Sequence, residues 1–267
     1  FANTPGSYTV SSLSTLVNAV FASGGPSAGG SFRSIQLRRD GKLVSDFDLY
    51  DLLLKGDKSS DAMLENGDVI FSDIAHLAGV AATDWSWSAL FADFDNDGRK
   101  DIFISNGYPK AVIDFDYQNA MSSAGRGRDS AATRRAQKEI FDRLYPYDAS
   151  NYFFWNAGDL TFTDETKAWG AERPSFSYGA AYGDLDNDGR LDLYVCRFNA
   201  PNWLYINQGD GTFKEEAAAR GLAVVDACGV GAFCDYDQDG WLDVYITTSM
   251  LDATRHPNGR RGYLFHN

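Results

Sequence analysis

Histidine and cysteine are scarce, at three of each in 267 residues. The cysteines, Cys196, Cys228 and Cys234, are odd in number and lack metal-type spacing, which indicates neither a disulfide framework nor a zinc site. Burial as small apolar side chains is expected of them. One pair stays open, should Cys196 lie across a sheet from Cys228 or Cys234. The available imidazole bases are His76, His256 and His266, none of them near a nucleophile signature. Gly-x-Ser-x-Gly and phosphate-binding loops are missing as well, so an enzyme is not expected. Basic residues are few, 24 Lys and Arg against 37 Asp and Glu for a net charge of −13, the opposite of a nucleic-acid footprint, and no nucleic-acid partner is expected. No apolar run is long enough for a membrane-spanning helix, which takes about 18 residues or more. The chain opens on Phe1, neither an initiator nor the start of a signal peptide, and reads as an internal fragment whose compartment must be inferred indirectly.

What is present is ample apolar material, 44% hydrophobic and 14% aromatic, enough for a sizeable core. The length fits one large β-architecture or a small domain attached to a larger one. The excess of acid is informative through its placement. Solubilising carboxylates scatter, whereas those that hold a cation must cluster, and here they cluster.

A Gly-Asp-x-x-Phe segment occurs at Gly67–Phe71, Gly158–Phe162 and Gly209–Phe213, and each is followed by an Asp-rich loop whose first Asp lies 22 residues after the Phe. The loops are Asp93, Asp95, Asp97, Gly98, Asp101; Asp184, Asp186, Asp188, Gly189, Asp192; and Asp235, Asp237, Asp239, Gly240, Asp243. All read D-x-D-x-D-G-x-x-D. Copies start 91 and 51 residues apart, so the period is 51 and the first unit carries 40 extra residues, roughly between Tyr108 and Ser150. Asn156 and Asn207 repeat at 51, and Asn267 follows after 60. Short β-rich runs follow each loop, Ile102–Ile104, Leu193–Val195 and Val244–Ile246, and small or aromatic stretches precede it, Trp85–Phe91, Phe176–Tyr182 and Cys228–Phe233. These predict close-packed inner strands, and blades of about four strands at a period near 50 predict a β-propeller.

Calcium takes six to eight oxygens at about 2.3–2.6 Å, which carboxylates at alternate positions of a tight, Gly-turned loop supply. Side-chain ligation is expected from Asp93, Asp95, Asp97 and Asp101, with the Arg99 carbonyl and water completing the shell. Matching roles fall to Asp184, Asp186, Asp188 and Asp192 with the Arg190 carbonyl, and to Asp235, Asp237, Asp239 and Asp243 with the Trp241 carbonyl. An EF-hand would need Glu at the twelfth position, where Ile104, Val195 and Ile246 stand instead, so the loop must cap a hairpin. Four like charges in one short loop repel strongly without a counterion. Three divalent ions would bring the formal charge from −13 to −7. Zinc is disfavoured by the lack of His and Cys ligands, and magnesium by the number of carboxylates.

Within the extra block, Asp129–Tyr145 has Ala132, Ala136, Ile140 and Leu144 at i+4 spacing and ends at Pro146, predicting a helix. Its Arg126, Arg128, Arg134, Arg135 and Lys138 form the one basic cluster, expected to be a solvated face. Trp85 and Trp87 are a possible sugar-stacking pair, though sheet packing is the commoner use.

The loops and Gly-Asp-x-x-Phe segments resemble the FG-GAP/VCBS repeats of integrin-α-type propellers and of cartilage-acidic-protein-like bacterial surface proteins. The resemblance covers about three quarters of the chain. It implies calcium at the positions named, an extracytoplasmic setting (periplasmic, cell-surface or secreted) and a role in adhesion or in binding polysaccharide or a cell-surface protein. Pro5–Val10, a helix over Ser12–Ala22, Gly24-Gly25-Pro26, a hairpin turn at Asp40-Gly41, Asp48–Leu54 and Gly67–Phe71 resemble a soluble-ligand-binding β-grasp (SLBB) domain, as bacterial polysaccharide export proteins carry, with Ser72-Asp73 where Val-Pro is usual.

The expected fold is therefore mainly β, a partial β-propeller of about three FG-GAP/VCBS blades over residues 72–267 with a helical insertion near 108–150, preceded by a small α+β β-grasp domain over 1–71. Gly67–Phe71 is claimed both as the closing strand of the first and the opening segment of the second. Either the domains share an edge or the chain joins two unrelated coding segments, and we favour the latter because natural boundaries fall in exposed linkers. The expected function is a non-catalytic, calcium-binding module for a glycan or protein. Capsule or exopolysaccharide export is the first alternative, and a calcium-assisted polysaccharide-active enzyme the second.

Overall fold

A computed structural model of the chain describes residues 6–25, 33–72, 75–108, 115–124, 130–144, 149–248 and 262–267. It divides into two units, Phe1–Ala82 with Ala157–Phe162, and Thr83–Asn156 with Thr163–Asn267. Arg126, Arg128, Asp129, Tyr145, Pro146, His256, Pro5, Pro26 and Asp73, on which some of the expectations fall, lie outside the described residues.

In the first unit, helix α1 (Leu16–Ala22) starts where the Asn18 side chain accepts the Thr15 backbone N–H at 2.9 Å. Strands β1 (Ile35–Arg39) and β2 (Lys42–Phe47) form a hairpin whose turn residues, Asp40 and Gly41, have φ of 49° and 76°, the left-handed pair that a tight two-residue turn needs. Helix α2 (Leu49–Lys55) is capped by Asp48, which accepts from the Tyr50 N–H at 2.8 Å. Strand β3 (Val69–Ser72) completes the antiparallel order β2-β1-β3. Leu16, Val20, Ile35, Leu37, Phe47 and Leu49 form the core. Arg39 grips Asp68 through two hydrogen bonds of 2.8 and 2.9 Å, and this guanidinium holds the Asp68 carboxyl below its ordinary range. Short helix α3 (Ala75–Ala78) carries His76.

The second unit begins with β4 (Ser86–Ala92) and β5 (Asp101–Asn106), joined by the first Asp loop. Helices α4 (Phe115–Ala124) and α5 (Ser130–Arg143) follow. Next come β6 (Ala149–Ser150), β7 (Tyr152–Gly158), β8 (Thr161–Asp164) and β9 (Pro174–Ser175). The second loop joins β10 (Ser177–Gly183) to β11 (Asp192–Pro201), and β12 (Trp203–Asn207) and β13 (Phe213–Glu215) complete that repeat. The third loop joins β14 (Val225–Cys234) to β15 (Asp243–Thr248), and β16 (Tyr263–Phe265) lies beside β15.

Three antiparallel blades result: β4-β5-β7-β8, β10-β11-β12-β13 and β14-β15-β16. The end of β11 also pairs with the start of β14. None of these sheets closes on itself among the described residues, so the unit is mainly β and propeller-like in the partial sense expected. The predicted helix is α5; Ala132, Ala136, Ile140 and Leu144 line its half-buried side, while Arg134, Arg135 and Lys138 are exposed. Helix α4 was not foreseen.

The phase of the repeat needs correction. The Gly-Asp-x-x-Phe segments at Gly158 and Gly209 lead into β8 and β13, which close the preceding blade as its outermost strand rather than opening the next. The copy at Gly67–Phe71 leads into β3, paired with β1 of the first unit. A periodic sequence carries no mark of where one unit starts, because strand partners are set by packing. Cys196, Cys228 and Cys234 are all free. The first two are buried as expected, but Cys234 is exposed because it ends β14 at the mouth of a loop.

Opposite faces of each blade's strands meet different neighbours, as a two-residue side-chain period requires. Phe94, Phe103 and Phe153 of the first blade pack on Leu193, Val195, Trp203 and Tyr205 of the second. The second blade's Leu185, Tyr194 and Leu204 pack on Val244 and Ile246 of the third. The innermost strands approach so closely that a Cβ on Gly179 would lie 2.7 Å from the Gly229 carbonyl oxygen and 3.0 Å from Val230 Cα. Both obstacles are backbone and cannot swing aside. Gly179→Ala is therefore expected to cost about 1–3 kcal/mol, read as a lower denaturant midpoint.

Candidate metal centres

Each Asp loop is a hairpin connection closed by a strand pair, Ala92 with Asp101, Gly183 with Asp192 and Cys234 with Asp243. Its backbone visits the left-handed region twice, at Asn96 and Gly98 (φ 60° and 90°), Asn187 and Gly189 (57° and 86°), and Gln238 and Gly240 (63° and 91°). This winding turns successive N–H groups inward. Asp93 accepts from the N–H of Asp97 and Gly98 at 3.0 and 2.9 Å, Asp184 from Asp188 and Gly189 at 2.9 and 2.9 Å, and Asp235 from Asp239 and Gly240 at 3.1 and 3.0 Å.

The ninth-position Asp is buried in every copy, at 0% exposure for Asp101 and Asp192 and 2% for Asp243. Both of its oxygens are used. Asp101 accepts from the N–H of Phe94 and Asn156, Asp192 from Leu185 and Asn207, and Asp243 from Tyr236 and Asn267, at 2.9–3.2 Å. Burial pushes Asp101 and Asp192 up to about 6, and the charges of Asp95 and Asp97, or Asp186 and Asp188, add to this against the pull of the two N–H donors. Such a group is short of positive charge.

Asp93, Asp95 and Asp101 bring one carboxylate oxygen each within 4.8 Å of one another, as do Asp184, Asp186 and Asp192, and Asp235, Asp237 and Asp243. The fifth-position residues stand apart. Asp97 and Asp188 accept the backbone N–H of Arg99 and Arg190 and pair with those guanidinium groups, while Asp239 accepts from the Trp241 N–H at 2.9 Å and groups with Asp237 and His266. The Arg99 and Arg190 side chains also reach the Asn156 and Asn207 carbonyls at 2.9 and 3.1 Å.

Sequence reasoning missed the partners of the third-position Asp. Trp155 Nε1 donates to Asp95 at 2.7 Å, Arg220 to Asp186 at 3.2 Å, and His266 Nε2 lies 2.8 Å from Asp237. The Asp237 carboxylate raises the His266 pKa, first through that hydrogen bond. Trp155 and His266 each directly precede a landmark Asn, a signal that was available. Asp186 Oδ1 is buried with no hydrogen-bond partner among the described residues. An orphaned carboxylate oxygen among other carboxylates suits a hard, oxygen-seeking divalent cation, so the residues fit the group that their spacing implies.

Trp85 and Trp87 belong to an aromatic cluster. Trp87 lies edge-on to Tyr178 at 4.7 Å between ring centres, Trp85 lies 4.7 Å from Tyr108, and Phe176 lies 5.1 Å from Phe198. Beside it is a groove of about 430 Å³ lined by Trp87, Ser88, Tyr178, Gly179, Ala180, Gly229 and Val230.

Residues 140–195 and 184–246 match the FG-GAP-like repeat, and these spans contain the second and third loops. The chain is 28% identical over 208 residues to cartilage acidic protein 1 of Mus musculus, covering 67% of this chain and 32% of that protein. It is 26% identical over 208 residues to cartilage acidic protein 1 of Homo sapiens, covering 67% and 31%, and 27% identical over 188 residues to that of Xenopus tropicalis, covering 57% and 29%. It thus spans about a third of the length of these curated relatives. Together with the blades and loops, these matches support an FG-GAP-type repeat protein.

Asp192→Ala would leave two buried N–H groups without acceptors, those of Leu185 and Asn207. The expected loss is about 2 kcal/mol or more, present even in excess chelator, in equilibrium unfolding.

Proposed function

We propose that the protein is a non-catalytic, calcium-binding module that works outside the cytoplasm and holds a glycan or protein ligand. The observation that carries this reading is the convergence of three carboxylates in each of three loops of one repeat. The proposed ligands in the first loop are Asp93, Asp95, Asp101 and the Arg99 carbonyl, with Asp97 joining if its ion pair opens. Asp184, Asp186, Asp192 and the Arg190 carbonyl serve the second loop, with Asp188 in reserve, and Asp235, Asp237, Asp239, Asp243 and the Trp241 carbonyl serve the third. Calcium supplies positive charge that offsets the repulsion within each loop and ties one hairpin together, and it takes no chemical part.

Partly exposed loops of this kind suit the modest affinities of extracellular calcium modules, with dissociation constants of about 10⁻⁴–10⁻³ M, and calcium at that level is met outside cells. Calcium should raise the melting temperature and a chelator should lower it again, with Asp186→Asn weakening the response of the second loop. A melting temperature indifferent to both would remove the assignment.

The groove beside Trp87 favours a neutral ligand with an apolar face, such as a sugar ring, because aromatic and small residues line it and no charged side chain does. Calcium-dependent binding on an array of neutral oligosaccharides and cell-surface proteins, lost by at least about tenfold in Trp87→Ala, is the expected result. Silence across the array would count against the binding role while leaving the calcium assignment intact. For the first unit, the order β2-β1-β3 with α1 and α2 packed on it around a shared core favours the small SLBB-like domain, and on that reading alone the chain would serve polysaccharide export.

A further inference from the structure

Asn is followed by Gly at Asn66-Gly67, Asn106-Gly107 and Asn258-Gly259, the last outside the described residues. In such a pair the backbone nitrogen of the second residue reaches the side-chain amide carbon of the first most easily, because no Cβ shields the approach and the Gly backbone turns freely. Attack needs a backbone N–H with no other commitment, an amide side chain free to turn towards it, and water.

The fold withholds all of these from Asn106. The residue is 0% exposed, its Nδ2 donates to the Ser150 carbonyl at 3.0 Å and its backbone N–H donates to Asn151 Oδ1 at 2.9 Å. The Gly107 N–H, the would-be nucleophile, donates to the Trp85 carbonyl at 3.0 Å. A Cβ on Gly107 would lie 2.5 Å from the Ser175 carbonyl oxygen, so the backbone there has no room to swing. The Asp-Gly pairs of the three Asp loops are guarded in a similar way. The N–H groups of Gly98, Gly189 and Gly240 donate to Asp93, Asp184 and Asp235 at 2.9, 2.9 and 3.0 Å.

Asn66-Gly67 has none of this protection. Both residues are exposed, at the centre of a turn that the Asp68 N–H closes onto the Glu65 carbonyl at 3.2 Å. Gly67 has φ 86°, and a Cβ placed on it would meet nothing within 4 Å. Among the described residues neither the Asn66 side chain nor the Gly67 N–H makes a hydrogen bond.

We infer that Asn66 is a modification site, at which the folded chain deamidates through a cyclic imide. The Gly67 nitrogen bonds to Asn66 Cγ, the Cγ–Nδ2 bond breaks, and the proton lost from the Gly67 nitrogen leaves with Nδ2 as ammonia. Water then opens the imide at either carbonyl. One product is Asp in the ordinary main chain, and the other is isoaspartate, whose main chain runs through the former side chain. No electrons are exchanged.

Either product sets a new carboxylate between Glu65 and Asp68, which share one cation. Arg39 holds Asp68 at 2.8 and 2.9 Å, pairs with Glu65 and reaches the Met63 carbonyl at 3.1 Å. Isoaspartate also lengthens the main chain by one carbon just ahead of β3, where Val69 sits opposite Arg38 of β1. That insertion strains the register which the Arg39 clamp and β3 share.

The test ages the folded full chain at mildly alkaline pH and follows each Asn-Gly peptide by mass spectrometry, beside a sample held in denaturant. In the folded chain Asn66 should convert at least about tenfold faster than Asn106, whose reaction waits on local unfolding, while in denaturant the two should convert at similar rates. Asn66→Gln, whose longer side chain closes an imide ring poorly, should abolish conversion at that peptide and leave the melting temperature unchanged. In the isoaspartate fraction, separated by chromatography, amide exchange in β3 should quicken by about tenfold or more relative to fresh protein. The inference is overturned by an Asn66 that stays intact in the folded chain while the denatured chain converts. Equal rates at Asn66 and Asn106 in the folded chain would overturn it too, as would β3 exchange unchanged in the isoaspartate fraction.

Discussion

The second unit depends on a buried carboxylate that accepts two backbone N–H groups from different places. Asp101, Asp192 and Asp243 each accept an N–H in their own loop and the N–H of the landmark Asn in, or just beyond, a neighbouring strand. One side chain thus fixes the loop, the hairpin it closes and the strand laid beside it. Burying such a charge is costly, and the raised pKa of Asp101 and Asp192 records the cost. Two N–H donors offset part of it, and a divalent cation drawn by the other acids of the loop would offset more. The same residue therefore belongs at once to the fold and to the carboxylate cluster proposed to hold a cation.

The loops are alike in backbone but not in charge. Arg99 and Arg190 stand beside Asp97 and Asp188 and partly neutralise the first two loops, whereas Trp241 occupies that position in the third. Among the described residues, His266, exposed beside Asp237 and Asp239, opposes its negative field when protonated. A guanidinium held by the fifth Asp competes with a cation for that oxygen, so three loops of one spacing need not bind with one affinity.

Much of this was legible in the sequence because the loop motif ties chemistry to geometry. Alternate Asp residues closed by Gly allow few backbone paths, and the constant 22-residue offset from Phe to Asp marks one unit repeated. Hairpins, inner strands and the carboxylate clusters at positions one, three and nine followed from it. What was not legible depended on contacts distant in sequence. The Gly-Asp-x-x-Phe segment looked like an opening strand, but pairing across a turn with β7 or β12 makes it a closing one. The ion pairs of Asp97 and Asp188 with the Arg two residues on were likewise not read from the loop spacing. Helix α4 was hidden because Phe115–Ala124 has no strong apolar stripe and only Ala124 is buried.

The latches between loops bear on how the parts act together. Asn96 and Asn187 sit inside the turns that wind around the carboxylates, yet their amides hold the Gly carbonyl of the next loop. A cation that stiffens one loop thereby fixes the donor that steadies its neighbour, and the reverse holds by linkage. In a repeat array whose stability is a sum of unit and nearest-neighbour terms, this would place the proposed metal centres within the coupling between blades as well as within each blade. On the proposed reading, cation binding and blade packing would act on one set of hydrogen bonds, and weakening either would loosen the other.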